Sequence, residues 1–153
     1  MDKYFQTSDG LNLRYTIKKN AKKTKWLFCV HGLGEHLGRH QYLVETFKKE
    51  YNIFQFDLRG HGKSDGSRGI VNNFNEYIDD FYEILSFIIK QNSIKEYNIF
   101  AHSMGALITC GLLKSGRLKG KFNPKNIKNG SVLLLVYSLL NTFTAISLQK
   151  SSK

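Results

Sequence analysis

The sequence predicts an α/β fold: a mostly parallel sheet with helices on both faces and an antiparallel hairpin at the N-terminus. Three observations support this prediction. Short apolar runs alternate with helical patterns along the chain, as in βαβ units. The run Trp26–Val30 is apolar throughout, which is typical of a strand buried on both faces. The clearest helical pattern, at 74–91, carries one continuous apolar stripe.

The first third of the chain alternates between strand and turn signals. Residues 3–7 and 11–18 flank Asp9-Gly10, a strong hairpin signal. A Lys-rich turn at 20–25 precedes the strand at 26–30, and a glycine-rich loop follows at 31–38. Residues 40–50 predict a helix that places Tyr42, Leu43 and Phe47 on one apolar side.

The rest of the chain continues the alternation. Residues 52–58 predict a strand and 59–66 a loop, before the helix at 74–91. In that helix the polar positions are expected to face water: Asn75, Glu76, Asp79, Asp80 and Glu83. The later segments predict a strand at 97–101, a helix at 104–113, a basic loop at 114–130 and a strand at 132–137.

Composition limits the classes of function. A chain of 153 residues suits one domain. The net charge is +11, and eight of the 23 Lys and Arg residues lie from Lys114 onward, beyond the last acidic residue. These lysines do not interleave with aromatic residues and match no nucleic-acid motif, so they indicate a solvated surface and no nucleic-acid partner.

The cysteines and the N-terminus indicate a cytoplasmic protein. Cys29 and Cys110 each lie in an apolar run and are expected to be buried in a reducing compartment. The N-terminal residues lack the apolar core of a secretory signal. Neither a CxxC pair nor a Cys/His cluster in the sequence indicates a metal site.

The segment around Ser103 has the pattern of a nucleophile elbow. Ala101 and Gly105 are small residues two positions before and after the serine, where a strand and a helix must approach closely. Ser103 is therefore the candidate nucleophile. The free N–H groups at the helix start favour an oxyanion, and the N–H of Met104 is one candidate donor.

A second glycine-rich segment supplies the other candidate donor. His31-Gly32-Leu33-Gly34 follows the buried strand, where the second oxyanion N–H of such a site is expected, and Leu33 is the candidate. The alternative is a glycine loop that merely turns the chain. We expect His31 to be a hydrogen-bonded structural residue and not a base.

The loop at 57–66 allows two interpretations. His61 with Asp57 or Asp65 would form a His/Asp pair, or their side chains would bond the backbone of a tight loop. The second is favoured because His61 precedes Ser103, against the chain order of such triads. The other histidines are expected either to be exposed at a helix start or to point away from Ser103: His36, His40 and His102.

Three motifs together resemble one family. They are the segments at 31–36 (HGLGEH), 57–64 (DLRGHGKS) and 102–105 (HSMG). In sequence and spacing they are similar to the monoacylglycerol lipase and lysophospholipase family of α/β-hydrolases, also called serine aminopeptidase S33 or "hydrolase 4". The resemblance covers residues 3–113. It implies that Ser103 attacks lipid or other carboxylic esters through an acyl-enzyme, with Leu33 and Met104 as backbone oxyanion donors and no metal or cofactor.

The rest of such a site is not found in the sequence. The triad order is Ser, acid, His, yet no His follows His102 and no Asp or Glu follows Glu96. We therefore expect a truncated α/β-hydrolase fold: a partial core domain at 1–138, a divergent tail at 139–153, and no cap or C-terminal catalytic half. A frameshift is one hypothetical origin. The expected consequence is negligible esterase activity of the chain alone.

Two other classes of function stay open. One is a non-catalytic half-domain that binds a lipid or a partner chain, including a chain that would supply the acid and the histidine. The other is membrane association through the apolar segment 131–148, whose length is at the lower limit for spanning a bilayer. For residues after 137 the favoured expectation is frayed or helical sequence.

Overall fold

The computed structural model describes residues 2–95, 97–118, 132–137 and 143–148. These residues form one seven-stranded sheet in the order β1-β2-β4-β3-β5-β6-β7. The strands are β1 Lys3–Gln6, β2 Asn12–Lys18, β3 Trp26–Val30, β4 Asn52–Phe56, β5 Tyr97–His102, β6 Val132–Tyr137 and β7 Phe143–Leu148. The four central strands run parallel, while β1, β2 and β7 add antiparallel edges. The predicted fold class is confirmed, including the N-terminal hairpin.

Helices cover both faces of the sheet. They are a 3-10 helix Leu37–His40 and the α-helices α1 Gln41–Phe47, α2 Asn75–Gln91 and α3 Met104–Lys114. Alternate residues of a strand point to opposite faces. Phe28 and Val30 of β3 therefore pack with α2 and α3, whereas Leu27 and Cys29 pack with α1. All five residues of β3 are buried, as the continuous apolar run predicts.

The core between the sheet and α2 is rich in aromatic side chains. Phe56 of β4 stacks on Phe81 of α2, with ring centroids 5.7 Å apart and 10° between the planes. Phe54 lies beside Phe56 and Phe28 in the same layer. This layer is the larger of the two cores in the described part of the chain, and it anchors the strand that precedes the loop at 57–66.

The region at 37–47 differs from its prediction. A 3-10 turn precedes a shorter helix, and α1 buries Leu43 and Val44. Tyr42 was expected on the apolar side, but its side chain is 57% exposed. The helix has only about two turns, and its inward face consists of two adjacent buried residues. Cys110 also differs from its prediction: it is exposed on α3, while Cys29 is buried as expected.

Asp80 does not face water. It is 1% exposed, and its two carboxylate oxygens accept hydrogen bonds from Nε and Nη2 of Arg59, each at 2.6 Å. Arg59 also contacts Glu76 and Asp9. A helical wheel identifies Asp80 as polar but cannot show that a loop 21 residues earlier brings it a buried cation.

The predicted strand at 132–137 is confirmed, and it pairs in parallel with β5 from Ile99 opposite Val132. Residues 143–148 form a strand antiparallel to β6, where frayed or helical sequence was expected. The rest of the predicted tail at 139–153 and most of the basic loop at 114–130 lie outside the described residues. Among the residues that the structure describes, no helix is long and apolar enough to cross a bilayer.

Candidate active site

The candidate site lies where the chain changes direction within the sheet. From β3 the chain moves to β4 on one side, and then returns to β5 on the other side of β3. In open α/β sheets, such a switch point leaves a crevice at the carboxyl ends of the strands. The loop after β3 and the turn after β5 are the two segments that border this crevice. They carry the two motifs that the sequence marks as catalytic.

Ser103 occupies a strained turn between β5 and α3. Its backbone has φ 49° and ψ −120°, a positive-φ conformation that costs a non-glycine residue roughly 1–3 kcal/mol. The side chain is exposed and makes no capping hydrogen bond to α3. Capping of the helix therefore does not explain the strained backbone of Ser103. The strained turn holds the hydroxyl out at the carboxyl edge of the sheet, as in a nucleophile elbow.

Small residues let the elbow pack against β3. A Cβ on Gly105 would lie 2.5 Å from the carbonyl oxygen of His31 and 2.6 Å from that of Val30, so only glycine fits there. Ala101 is fully buried. The sequence predicts small residues at these positions, and the reason is a close backbone contact between α3 and the end of β3.

The loop after β3 lies directly beside the serine. A Cβ on Gly32 would lie 3.1 Å from Cβ of Ser103 and 3.1 Å from Nδ1 of His102. Leu33 follows Gly32 in this loop with an exposed side chain, and Met104 is the first residue of α3. The N–H groups in the first turn of a helix have no partner within the helix. The sequence-predicted oxyanion donors thus lie on the two segments that border the serine.

Glu35 joins these two segments. Its Oε2 accepts hydrogen bonds from the Gly32 N–H at 2.8 Å, and lies 3.0 Å from Nδ1 of His102 and 3.1 Å from Nε2 of His40. Burial alone would raise the pKa of Glu35. The hydrogen bonds from Gly32, His40 and His102 outweigh it and hold the pKa at about 2. The carboxylate therefore stays ionised and ties the loop to the elbow.

Sequence reasoning missed this role of Glu35. Its place in the HGLGEH segment marked it only as part of a motif. His40 was expected to be exposed but is buried, because its ring packs against Phe100 and directs Nε2 to Glu35. His36 is exposed as expected, and it accepts the Gly38 N–H at the start of that helix. The sequence signal that could have indicated this role is a carboxylate followed by histidines at short spacing, as at Glu35, His36 and His40.

His31 is a structural residue, as predicted. Its Nδ1 lies 2.8 Å from its neighbour's carbonyl at Gly32, and its Nε2 accepts the Leu58 N–H at 3.0 Å. Burial lowers the pKa of His31 to about 4. The neutral ring thus fastens the end of β3 to the loop that follows β4.

The loop at 57–66 is a tight turn whose side chains bond the backbone, as favoured from sequence. Asp57 accepts N–H groups from Leu37 at 2.6 Å and Lys63 at 2.9 Å. Ser64 donates to the Asp57 carbonyl, and the carboxylate of Asp65 accepts the Asn12 N–H. His61 is buried with Nδ1 2.8 Å from the Arg59 carbonyl. The loop therefore has a structural role beside the site. Its histidine and aspartates do not form a His/Asp pair that could act on Ser103.

Within residues 2–95 and 97–118, no side chain is hydrogen-bonded to the Ser103 hydroxyl. His102, its neighbour, directs Nδ1 to Glu35. A cavity of about 340 Å³ lies elsewhere, beside Arg59 and the acidic residues of α2, and most of the residues that line it are charged, which does not suit an acyl chain.

Comparison with known proteins agrees with this geometry. A model of the family "serine aminopeptidase, S33" (Hydrolase_4) matches residues 21–133. Monoglyceride lipase of Rattus norvegicus is 32% identical over 84 residues, which are 54% of this chain and 28% of the lipase. Phospholipase YtpA of Bacillus subtilis is 32% identical over 93 residues, 60% of this chain and 35% of that protein. The chain thus spans about a third or less of these two relatives.

Solved structures show the same fold. A thermostable carboxyl esterase from Bacillus coagulans superposes with a TM-score of 0.69 at 22% identity, over 88% of this chain and 43% of the esterase. At that identity the likeness concerns the fold alone. The family match covers well over half of the chain and includes the elbow, the loop after β3 and the loop at 57–66. The chain therefore belongs to the serine aminopeptidase S33 family of α/β-hydrolases.

Proposed function

We propose that this chain carries the nucleophile and the oxyanion hole of a serine carboxylic-ester hydrolase. The observation that carries the proposal is the exposed, strained Ser103 beside the loop that follows β3. A strained turn costs stability and is kept where the hydroxyl must project from the sheet. The substrate class we propose is a lipid ester of the monoacylglycerol or lysophospholipid type. The relatives' names, a monoglyceride lipase and a phospholipase, support it.

The proposed chemistry is acyl transfer to Ser103. Its Oγ attacks the ester carbonyl carbon while its proton passes to a base, and the carbonyl oxygen becomes an oxyanion. The N–H groups of Leu33 and Met104 would donate to that oxyanion, supported by the N-terminal end of α3. Collapse of the intermediate breaks the bond to the alcohol, which leaves with a proton. Water then hydrolyses the acyl-Ser103 ester and releases the carboxylic acid.

The base is the part that this sequence does not provide. No His follows His102 and no acid follows Glu96. A serine hydroxyl without a base is a weak nucleophile, and loss of triad members lowers turnover by several orders of magnitude. We therefore propose that the 153-residue chain alone turns esters over negligibly. Full activity would need an acid and a histidine from outside this sequence.

Ester hydrolysis tests this proposal. The purified chain is assayed with p-nitrophenyl butyrate and with a monoacylglycerol, beside its Ser103→Ala variant. We expect equal, near-background turnover for both proteins, and one butyryl group on Ser103 of the unmodified chain after long incubation with the activated ester. Sustained turnover that Ser103→Ala abolishes would show that a base reaches the serine. Absence of acylation at Ser103 from a folded chain would favour a non-catalytic binding domain instead.

A further inference from the structure

Three side chains converge next to the elbow, outside the proposed acyl chemistry. Glu35, His40 and His102 each offer one ligand atom, and these three atoms lie within 4.8 Å of one another. The carboxylate oxygen is 3.1 Å from His40 and 3.0 Å from His102. The side chains are largely buried, at 17%, 7% and 25% exposure in that order. They come from the loop after β3, the 3-10 helix and the end of β5.

The chemistry of this set is that of a metal site. One carboxylate and two imidazoles form a donor set found in zinc proteins. At zinc–ligand distances of about 2.0–2.2 Å, tetrahedral ligand atoms lie roughly 3.3–3.6 Å apart. Two of the three separations are already within a few tenths of an ångström of that value. The two rings are inclined by 60° with centroids 5.4 Å apart, so they do not stack face to face. Each directs one nitrogen to the same carboxylate oxygen, Oε2 of Glu35.

We propose that Glu35, His40 and His102 bind a divalent transition-metal ion, with Zn²⁺ as the preferred ion. Three protein ligands leave the fourth position of a tetrahedron open to water. The imidazole donors disfavour Mg²⁺ and Ca²⁺, which prefer oxygen ligands. The ion would replace the imidazole protons that the carboxylate now accepts, and Glu35 would keep its hydrogen bond from Gly32.

The surroundings indicate moderate affinity. Metal-bound histidines usually donate their other ring N–H to a partner, and loss of such a partner costs about 10–100-fold in affinity. Nδ1 of His40 is buried without a hydrogen-bond partner among the described residues. The guanidinium of Arg39 lies 3.8 Å from the other oxygen of Glu35 and competes with the cation for its charge. We therefore expect micromolar binding, weaker than that of a structural zinc site.

Calorimetric titration of the full chain with Zn²⁺ tests the site, followed by Co²⁺ and its visible d–d absorption. All proteins carry Cys110→Ser, which removes an exposed thiol. The test variants are Glu35→Gln, which keeps the shape and an oxygen acceptor, and His40→Ala. The matched control is His36→Ala, an exposed histidine of the same loop. Circular dichroism and thermal unfolding without metal confirm that each variant is folded.

We expect one Zn²⁺ per chain, a Co²⁺ spectrum of low coordination number, and at least about tenfold weaker binding in both test variants. The control should bind as the unmodified chain does. Either of two results would overturn the proposal: no Zn²⁺ binding to the folded chain, which leaves a hydrogen-bonded network only, or binding that His36→Ala abolishes and the test variants retain.

Discussion

At the scale of single residues, the site depends on backbone positions that only certain side chains allow. Ser103 is held at φ 49° although it has a Cβ. Gly105 is required because the carbonyls of Val30 and His31 lie 2.5–2.6 Å from where its Cβ would be. The sequence predicts both residues, since a small–x–Ser–x–small pattern needs this turn. It does not predict Glu35 as the link between the two segments. That link depends on His102, 67 residues away along the chain.

His31 makes stability depend on pH. Its folded pKa is about 4, against 6.5 for the exposed side chain. Between these values the unfolded chain binds a proton that the folded chain does not, because burial disfavours the charged ring. Stability is therefore full above about pH 6.5 and falls as the pH drops toward 4, by up to about 3 kcal/mol from this residue.

Urea unfolding of the chain at several pH values between 4 and 7.5 measures this loss. The matched variant is His31→Asn, which does not titrate in this range. We expect a lower stability for the variant at neutral pH and a smaller loss of stability on acidification. Parallel pH profiles for the two proteins would exclude His31 as the cause.

At the scale of elements, the strands and α2 follow from local pattern, while buried ion pairs do not. The alternation of β3 between Phe28 and Cys29 assigns one face to α2 and α3 and the other to α1. The apolar stripe of α2 is likewise predicted from the helical spacing of its apolar residues. Asp80 breaks the pattern because Arg59, from a loop after β4, neutralises it in the core. Hydrogen bonds to Asp80 raise the pKa of Arg59 above its ordinary value. Burial raises the pKa of Asp80, and the contact with Arg59 opposes that rise.

The two neighbouring aspartates of α2 allow a matched test of this ion pair. Asp80→Asn leaves a buried guanidinium with Asp9 and Glu76 as its only remaining acidic partners in the described chain, and we expect a loss of at least about 2 kcal/mol. Asp79 is 45% exposed and pairs with Arg117 at the surface. Asp79→Asn should change stability by no more than about 0.5 kcal/mol.

Chemical unfolding of both variants gives the comparison directly. Equal losses would mean that the buried pair contributes no more than a surface pair. That result would also contradict a role of the Arg59–Asp80 ion pair in holding α2 to the loop at 57–66.

At the scale of the whole molecule, the chain spans about a third or less of the two relatives described above. The parallel strands β4, β3, β5 and β6 bring the elbow and the loop after β3 to one edge. The order of strands and helices predicts this much, because parallel strands joined by helices share their carboxyl edge. The antiparallel β7 is not predicted. The sequence shows no turn signal that would mark 143–148 as a new strand and not as a helix. The predicted division at residue 138 stays a prediction.

This chain contains some parts of the proposed catalytic site but no base for the serine. It holds an exposed serine, two candidate oxyanion donors and the carboxylate that ties them together. Among its described residues, no imidazole is hydrogen-bonded to the serine hydroxyl. Reactivity at Ser103 should therefore depend on a base supplied from outside the chain.

Labelling of Ser103 by a fluorophosphonate, located by mass spectrometry, tests this account most directly. The purified chain is treated with and without added imidazole, beside the Ser103→Ala variant. We expect slow labelling without imidazole, faster labelling with it, and modification at Ser103 and not at the exposed Ser115. Rapid labelling without imidazole would contradict the absence of a base. A folded chain that imidazole leaves unlabelled at Ser103 would contradict its role as the nucleophile.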